Sequence, residues 1–224
     1  MKWADLSPYK RATIDTETTG LTHKDRPVGL SIKAEDGRKT YIRWGHEGGG
    51  NNCSLPEFKR WASKGRTRPG LTLVMHHAQF DMRMLKYVGV SLDNARCEDT
   101  NFVAALLNEM EPSYELDALS TKYAGISKSD EGLNRWCAEH FGGQPTRKAQ
   151  AGNYWRTPGD IVAPYAIGDV DMTDGLYVKL RPKIDEEDLG KIYGVETALL
   201  PILLRMHMVG VKVDVAYAER LKKK

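Results

Sequence analysis

Asp15 and Glu17 stand two residues apart at the end of the apolar run in ATIDTETTG, residues 12–20, and no lysine or arginine lies within it. If the run is a β-strand, both side chains share one face about 7 Å apart. Two like charges on a semi-buried surface repel unless a cation fills the gap. A solvated acidic turn ending in TTG explains the same residues, so acids elsewhere must decide. Asp81 follows the apolar run LTLVMHH where a helix begins, and Tyr165 and Asp169 are four apart in YAIGD, hence stacked on one helical face. Taken singly, Asp81 reads as a helix cap and Asp169 as a solvated helix residue. Together, four carboxylates and a phenol make a hard, oxygen-only donor set that suits Mg²⁺ or Mn²⁺ and disfavours zinc. Two ions would balance that much charge. A pair about 4 Å apart is the device for in-line displacement at phosphorus, so the chemistry to expect is phosphodiester cleavage.

These residues converge only if particular elements position them. The strand ending at Asp15 is followed by VGLSIKA and KTYIRWG, which flank EDG; Asp36-Gly37 is a hairpin signal, giving three antiparallel strands. Ser54 and Glu57 form a capping box opening the helix LPEFKRWASK. LTLVMHH then reads as a buried strand, and strand, helix, strand favours a parallel neighbour, here beside the first strand. The two carboxyl ends would open on one sheet edge, where open α/β sheets place their sites. FDMRMLKYVG is a helix closed by Gly89, ARCED a weak strand, and TNFVAALLNEM a helix stopped by Pro112. Beyond it YELDALSTKYAG and DEGLNRWCAEHFGG are helical. TRKAQAGNYWRTPG is a polar, basic connection, and a helix begins near Thr157-Pro158, with Pro164 kinking or restarting it.

Composition sets outer bounds. The chain has 224 residues, 41% hydrophobic and 28% charged, which suits one compact domain with a small appendage. A formal net charge of +3 is compatible with a polyanionic partner but does not demand one. Cys53, Cys97 and Cys137 lack any CxxC spacing, so neither a disulfide framework nor a zinc cluster is indicated, and a reducing interior is the default. MKWADLSPYK lacks a signal-peptide core, and ALLPILLRMHMVGV is broken by proline, arginine and histidine, so no membrane partner is expected.

IDTETTGL, HHAQFDMRML and YAIGDVDMT resemble, in order, the three exonuclease motifs of the DEDD superfamily of 3′–5′ exonucleases, and the tyrosine four before the last acid resembles its tyrosine subclass. The resemblance covers about residues 10–185 and implies a ribonuclease H-like α/β fold, a central mixed five-stranded sheet flanked by helices. VETALLPILLRMHMVGVKVD is similar to the passage from proofreading to polymerase domain in family A DNA polymerases, through Glu196, Gly210, Val211, Val213 and Asp214. Phage members look nearest. Residues 1–188 are therefore expected to be the exonuclease domain and 189–224 the start of a polymerase-like region. The resemblance further implies two divalent cations, Mg²⁺ or Mn²⁺: Asp15, Glu17 and Asp169 at one, Asp15 and Asp81 at the other. Tyr165 with Glu17 would orient the attacking water. Thr16, Leu21 and His77 would meet the nucleic acid, Leu21 as a wedge beside the terminal base. His77 departs from the family's usual asparagine, and His76 reads as structural.

Arg147, Lys148 and Arg156 are phosphate contacts or simply a solvated loop; Trp136, Tyr154 and Trp155 read as packing residues. The implied function is removal of nucleotides from single-stranded DNA 3′ ends, proofreading for a polymerase domain in the same or a larger chain, in the cytoplasm of a bacterium or phage-infected cell. A ribonuclease D-like RNA-trimming enzyme and a non-catalytic nucleic-acid-binding module are the alternatives.

Overall fold

The computed structural model describes residues 6–63, 70–92 and 95–223; Lys64, the expected end of the first helix, lies outside them. Five strands form one sheet in the order β3-β2-β1-β4-β5. β1 (Arg11–Thr18), β2 (Pro27–Ala34) and β3 (Lys39–Arg43) are antiparallel neighbours, while β4 (Thr72–Met75) runs parallel to β1 and β5 (Arg96–Asp99) parallel to β4. This is the mixed five-stranded arrangement implied by the ribonuclease H-like resemblance. The Asp36-Gly37 hairpin closes with Gly37 at φ 88 and its N–H on the Ala34 carbonyl at 2.9 Å, a conformation open to glycine without steric cost. Ser54 and Glu57 make the expected reciprocal cap of α1 (Leu55–Ser63): the Ser54 N–H and hydroxyl both donate to Glu57 at 2.7 Å.

α2 (Ala78–Tyr87) follows β4, and α3 (Thr100–Leu107) follows β5. α3 ends sooner than TNFVAALLNEM suggests, because Asn108 turns its side chain on the backbone and accepts the Met110 N–H at 3.1 Å. α4 (Leu116–Ala124) ends on Gly125 in the left-handed region, and α5 (Glu131–Phe141) ends on Gly142. The basic connection is more ordered than its composition indicates: α6 (Arg147–Gln150) and a 3-10 turn (Ala151–Arg156) fill it. α7 (Gly159–Glu186) then runs for 28 residues through Pro164 and Pro182 without restarting.

α7 sets the position of the third motif. Val162, Ala166, Val170, Met172 and Leu176 are buried along it. Arg11 pairs with Asp174, and Lys33 reaches both Asp171 and Asp174 at 3.0 Å, pinning the helix to β1 and β2. α8 (Gly190–Val209) has the length and apolar composition to cross a membrane. It buries Leu200 and Leu204 in the main core and Tyr193 in the cluster beneath α7. α9 (Val215–Lys222) buries none of its side chains.

Candidate active site

β1 and β4 are parallel, so their carboxyl ends open at the same edge of the sheet, and α7, pinned to β1 and β2 through Asp174 and Asp171, brings Asp169 to that end. Asp15 and Glu17 lie on one face of β1, Asp169 on the facing side of α7. Ligand oxygens of these three lie within 4.8 Å of one another. Asp81, 1% exposed, sits behind them: its Oδ1 accepts the Thr16 N–H at 3.0 Å and the Thr16 hydroxyl at 2.5 Å. The sequence brings four acids together, and the structure divides them into three with converging oxygens and one tied to the intervening threonine.

Their electrostatics are those of crowded anions. Burial, then repulsion from Asp81, Asp169 and Glu17, pushes Asp15 well above the usual carboxylate range. Glu17 is pushed to about 8 by burial and Asp169. Asp81 rises to about 7 by burial, against the lowering effect of its Thr16 hydrogen bonds. Burial also raises Asp169, opposed by Lys128. Oε1 of Glu17 is buried with no hydrogen-bond partner among the described residues. A buried acceptor without a donor is costly. Hard oxygen donors, mutual repulsion and an orphaned acceptor together fit a divalent cation. Tyr165, one turn before Asp169, packs edge-on against Tyr154 with ring centres 5.1 Å apart, and burial, followed by the charges of Asp169 and Glu17, raises its phenol above the ordinary 10.0.

Asp15, Glu17 and Asp169 open into a cleft of about 1070 Å³. Leu21 lies at its wall, 77% exposed, its carbonyl accepting from Arg83 at 3.2 Å. His77 lines it too, with φ 62 and ψ 53 at the start of α2. Asp99 holds that left-handed turn: its carboxylate accepts the N–H groups of His77 at 3.0 Å, Ala78 at 2.8 Å and Asn101 at 2.9 Å. Histidine tolerates this conformation better than most residues. His76 bridges Thr100 at 2.8 Å and the Tyr114 carbonyl at 2.9 Å, and burial lowers its imidazole to about 4, in keeping with a structural residue. Arg147 lines the cleft and pairs with Asp117; Lys148 is exposed on the same short helix and is not part of the lining. Tyr154 does pack, donating to Asn134 at 2.7 Å, yet also lines the cleft. Trp136 stacks on His140.

Sequence reading missed Lys128, whose ammonium bonds Asp169 and stands 3.3 Å from the centre of the Tyr165 ring. It also missed Arg83, Asp117 and His207 on the cleft wall. Lys128 and Asp117 lie outside the quoted motifs; Arg83 falls within HHAQFDMRML and His207 within VETALLPILLRMHMVGVKVD, but only tertiary folding brings them to the cleft wall.

Residues 4–185 match the 3′-5′ exonuclease family of protein sequences. The chain is 34% identical to the DNA polymerase DpoZ of Vibrio phage phiVC8 over 98% of its own length and 35% of that protein's. It spans about a third of the length of the curated relatives it matches. Among solved structures, Brucella melitensis NrnC with bound Mg²⁺ is similar with a TM-score of 0.65 at 17% identity, covering 90% of this chain and 87% of that one. The POL domain of Pol1 from M. smegmatis, in complex with DNA primer-template and dNTP, gives 0.65 at 22% identity, covering 97% and 32%.

Proposed function

The chain belongs to the 3′–5′ exonuclease family found in family A DNA polymerases, and from this we propose that it removes nucleotides from single-stranded DNA 3′ ends, proofreading for a polymerase region in the same or a larger chain. The carrying observation is the cluster of Asp15, Glu17 and Asp169, oxygens within 4.8 Å, with Glu17 Oε1 unbonded among the described residues. In this reading Asp15, Glu17 and Asp169 hold one divalent cation and Asp15 with Asp81 a second, Mg²⁺ or Mn²⁺; a neighbour of the same fold carries Mg²⁺. Bound there, the ions supply Lewis-acid activation of water and charge stabilisation at the leaving oxygen.

The remaining work belongs to the side chains. Thr16 fixes Asp81 through two hydrogen bonds. Tyr165, its pKa raised, keeps its proton at neutral pH and positions the attacking water without abstracting from it. Leu21 offers the apolar wall on which the terminal base stacks, and His77 and Arg147, which line the same cleft, contact the strand. Lys148, exposed beside Arg147, meets the backbone further out. We place the domain boundary near residue 188: the family match ends at 185, and α7 ends at Glu186. Exposed Met206, Val209, Val211 and Val213 on the following segment suit burial against such a region. The cytoplasm of a bacterium or phage-infected cell is the compartment this function requires.

Incubation with a 5′-labelled single-stranded oligonucleotide, with and without Mg²⁺ or Mn²⁺, tests the reading. A metal-dependent ladder shortening from the 3′ end is expected; no cleavage, or shortening from the 5′ end, would overturn it. Matched DNA and RNA oligonucleotides decide the substrate class, and faster RNA trimming would favour the ribonuclease D-like alternative.

A further inference from the structure

Lys128 reaches the acids from the connection between α4 and α5, and α7 is shaped to receive it. A Cβ at Gly168 would lie 3.1 Å from Lys128 Cβ and 3.2 Å from its Cδ. A Cβ at Gly175, two turns further along the same helix, would come within 2.3 Å of Ile126 Cδ1. The two glycines open a shallow groove in which residues 126–128 lie, and Ser120 Oγ anchors the segment by donating to the Ile126 carbonyl at 2.9 Å. From this fixed backbone the Lys128 side chain, 7% exposed, bonds Asp169 Oδ1 and covers the Tyr165 ring at 3.3 Å. One ammonium thus engages both a carboxylate and the phenol beside it.

A single positive charge cannot neutralise four neighbouring carboxylates. A divalent cation held by the same oxygens brings twice the charge, and it repels an ammonium bonded to a shared carboxylate, strongly so in a partly dry site. The lysine stem carries rotatable bonds that let its head swing out while its backbone stays in the groove. We propose that Lys128 is an exchangeable cation: it closes the site over Asp169 and Tyr165 when no divalent ion is bound, and is expelled when ions enter. Divalent-ion affinity and access to the phenol are then set by one positioning residue. This rests on the reading that the carboxylates bind divalent cations.

The test is Mn²⁺ binding to the whole chain without nucleic acid, measured by electron paramagnetic resonance, for wild type, Lys128→Met, Lys128→Arg and Asp15→Asn. Removing the competitor should tighten Mn²⁺ binding in Lys128→Met by roughly fivefold or more, while Lys128→Arg, which keeps the charge, stays near wild type. Unchanged or weaker binding in Lys128→Met would overturn the exchange and leave the metal reading intact. Wild-type protein that binds no Mn²⁺, or Asp15→Asn that binds it equally well, would overturn both. A second measurement needs no variant: amine acetylation of wild type followed by peptide mass spectrometry. Lys128 should be protected in chelator and become reactive at saturating Mg²⁺, and protection in both conditions would refute its expulsion.

Discussion

Asp15 is buried and repelled by three carboxylates, Asp81, Asp169 and Glu17. Asp15→Asn should therefore lose hydrolysis by at least about a hundredfold, yet melt in chelator at no lower temperature than wild type; a large drop would mean the carboxylate is structural. The same crowding sets a pH dependence for the metal-free protein. Glu17 titrates at about 8 when folded against an ordinary 4.5, so the folded chain binds protons that the unfolded chain has already released. Stability in chelator should be full near pH 4.5 and fall as pH rises to 8. Saturating Mg²⁺ should flatten the slope, and denaturant midpoints across that range check the sign. Tyr165→Phe removes only the hydroxyl: hydrolysis should slow about ten- to a hundredfold with Mn²⁺ affinity unchanged, and an unaltered rate would take the phenol out of the mechanism.

Elements, more than single residues, determine which way the motifs face. α2 begins at a left-handed His77, and Asp99, at the end of β5, accepts three backbone N–H groups to hold that turn and cap α3. The end of β5 thus shapes the cleft wall without contributing a reacting group. Asp99→Ala would leave those buried donors unpaired, costing about 1–3 kcal/mol, which equilibrium denaturation in urea would measure; Asp99→Asn, retaining one acceptor oxygen, should lose less. α7 is held by Arg11 and Lys33 from two different strands, and this register delivers Asp169 opposite Asp15.

At the scale of the whole molecule, α8 joins what the family match separates. Residues 189–224 follow the proposed boundary, yet Leu200 and Leu204 are 0% and 2% exposed and belong to the main core. α8 therefore closes the main core through Leu200 and Leu204, while Met206, Met208 and Val209 in its last turn stay exposed. Leu200→Ala should destabilise the exonuclease body by about 2–5 kcal/mol, read from the shift of its unfolding midpoint. A loss within a few tenths of a kcal/mol would mean the helix merely rests on the surface.

The sequence alone determined the sheet, the order of its strands along the chain and the identity of the acids, because period-2 patterning, a DG turn, a capping box and three short motifs are local signals that each span fewer than about ten residues. It likewise placed Asp15 and Glu17 on one face of β1, since alternation in a strand requires it. Only tertiary structure decided that three acids converge while Asp81 is occupied by Thr16, that Asp99 fixes His77, and that Lys128 crosses from a separate connection to Asp169. The hydrogen bonds among those contacts join residues 22 to 65 positions apart, and the acids that converge come from both ends of the 15–169 span. Their energy comes from burial and charge in spaces that exist only once α2, β5 and α7 have packed around β1.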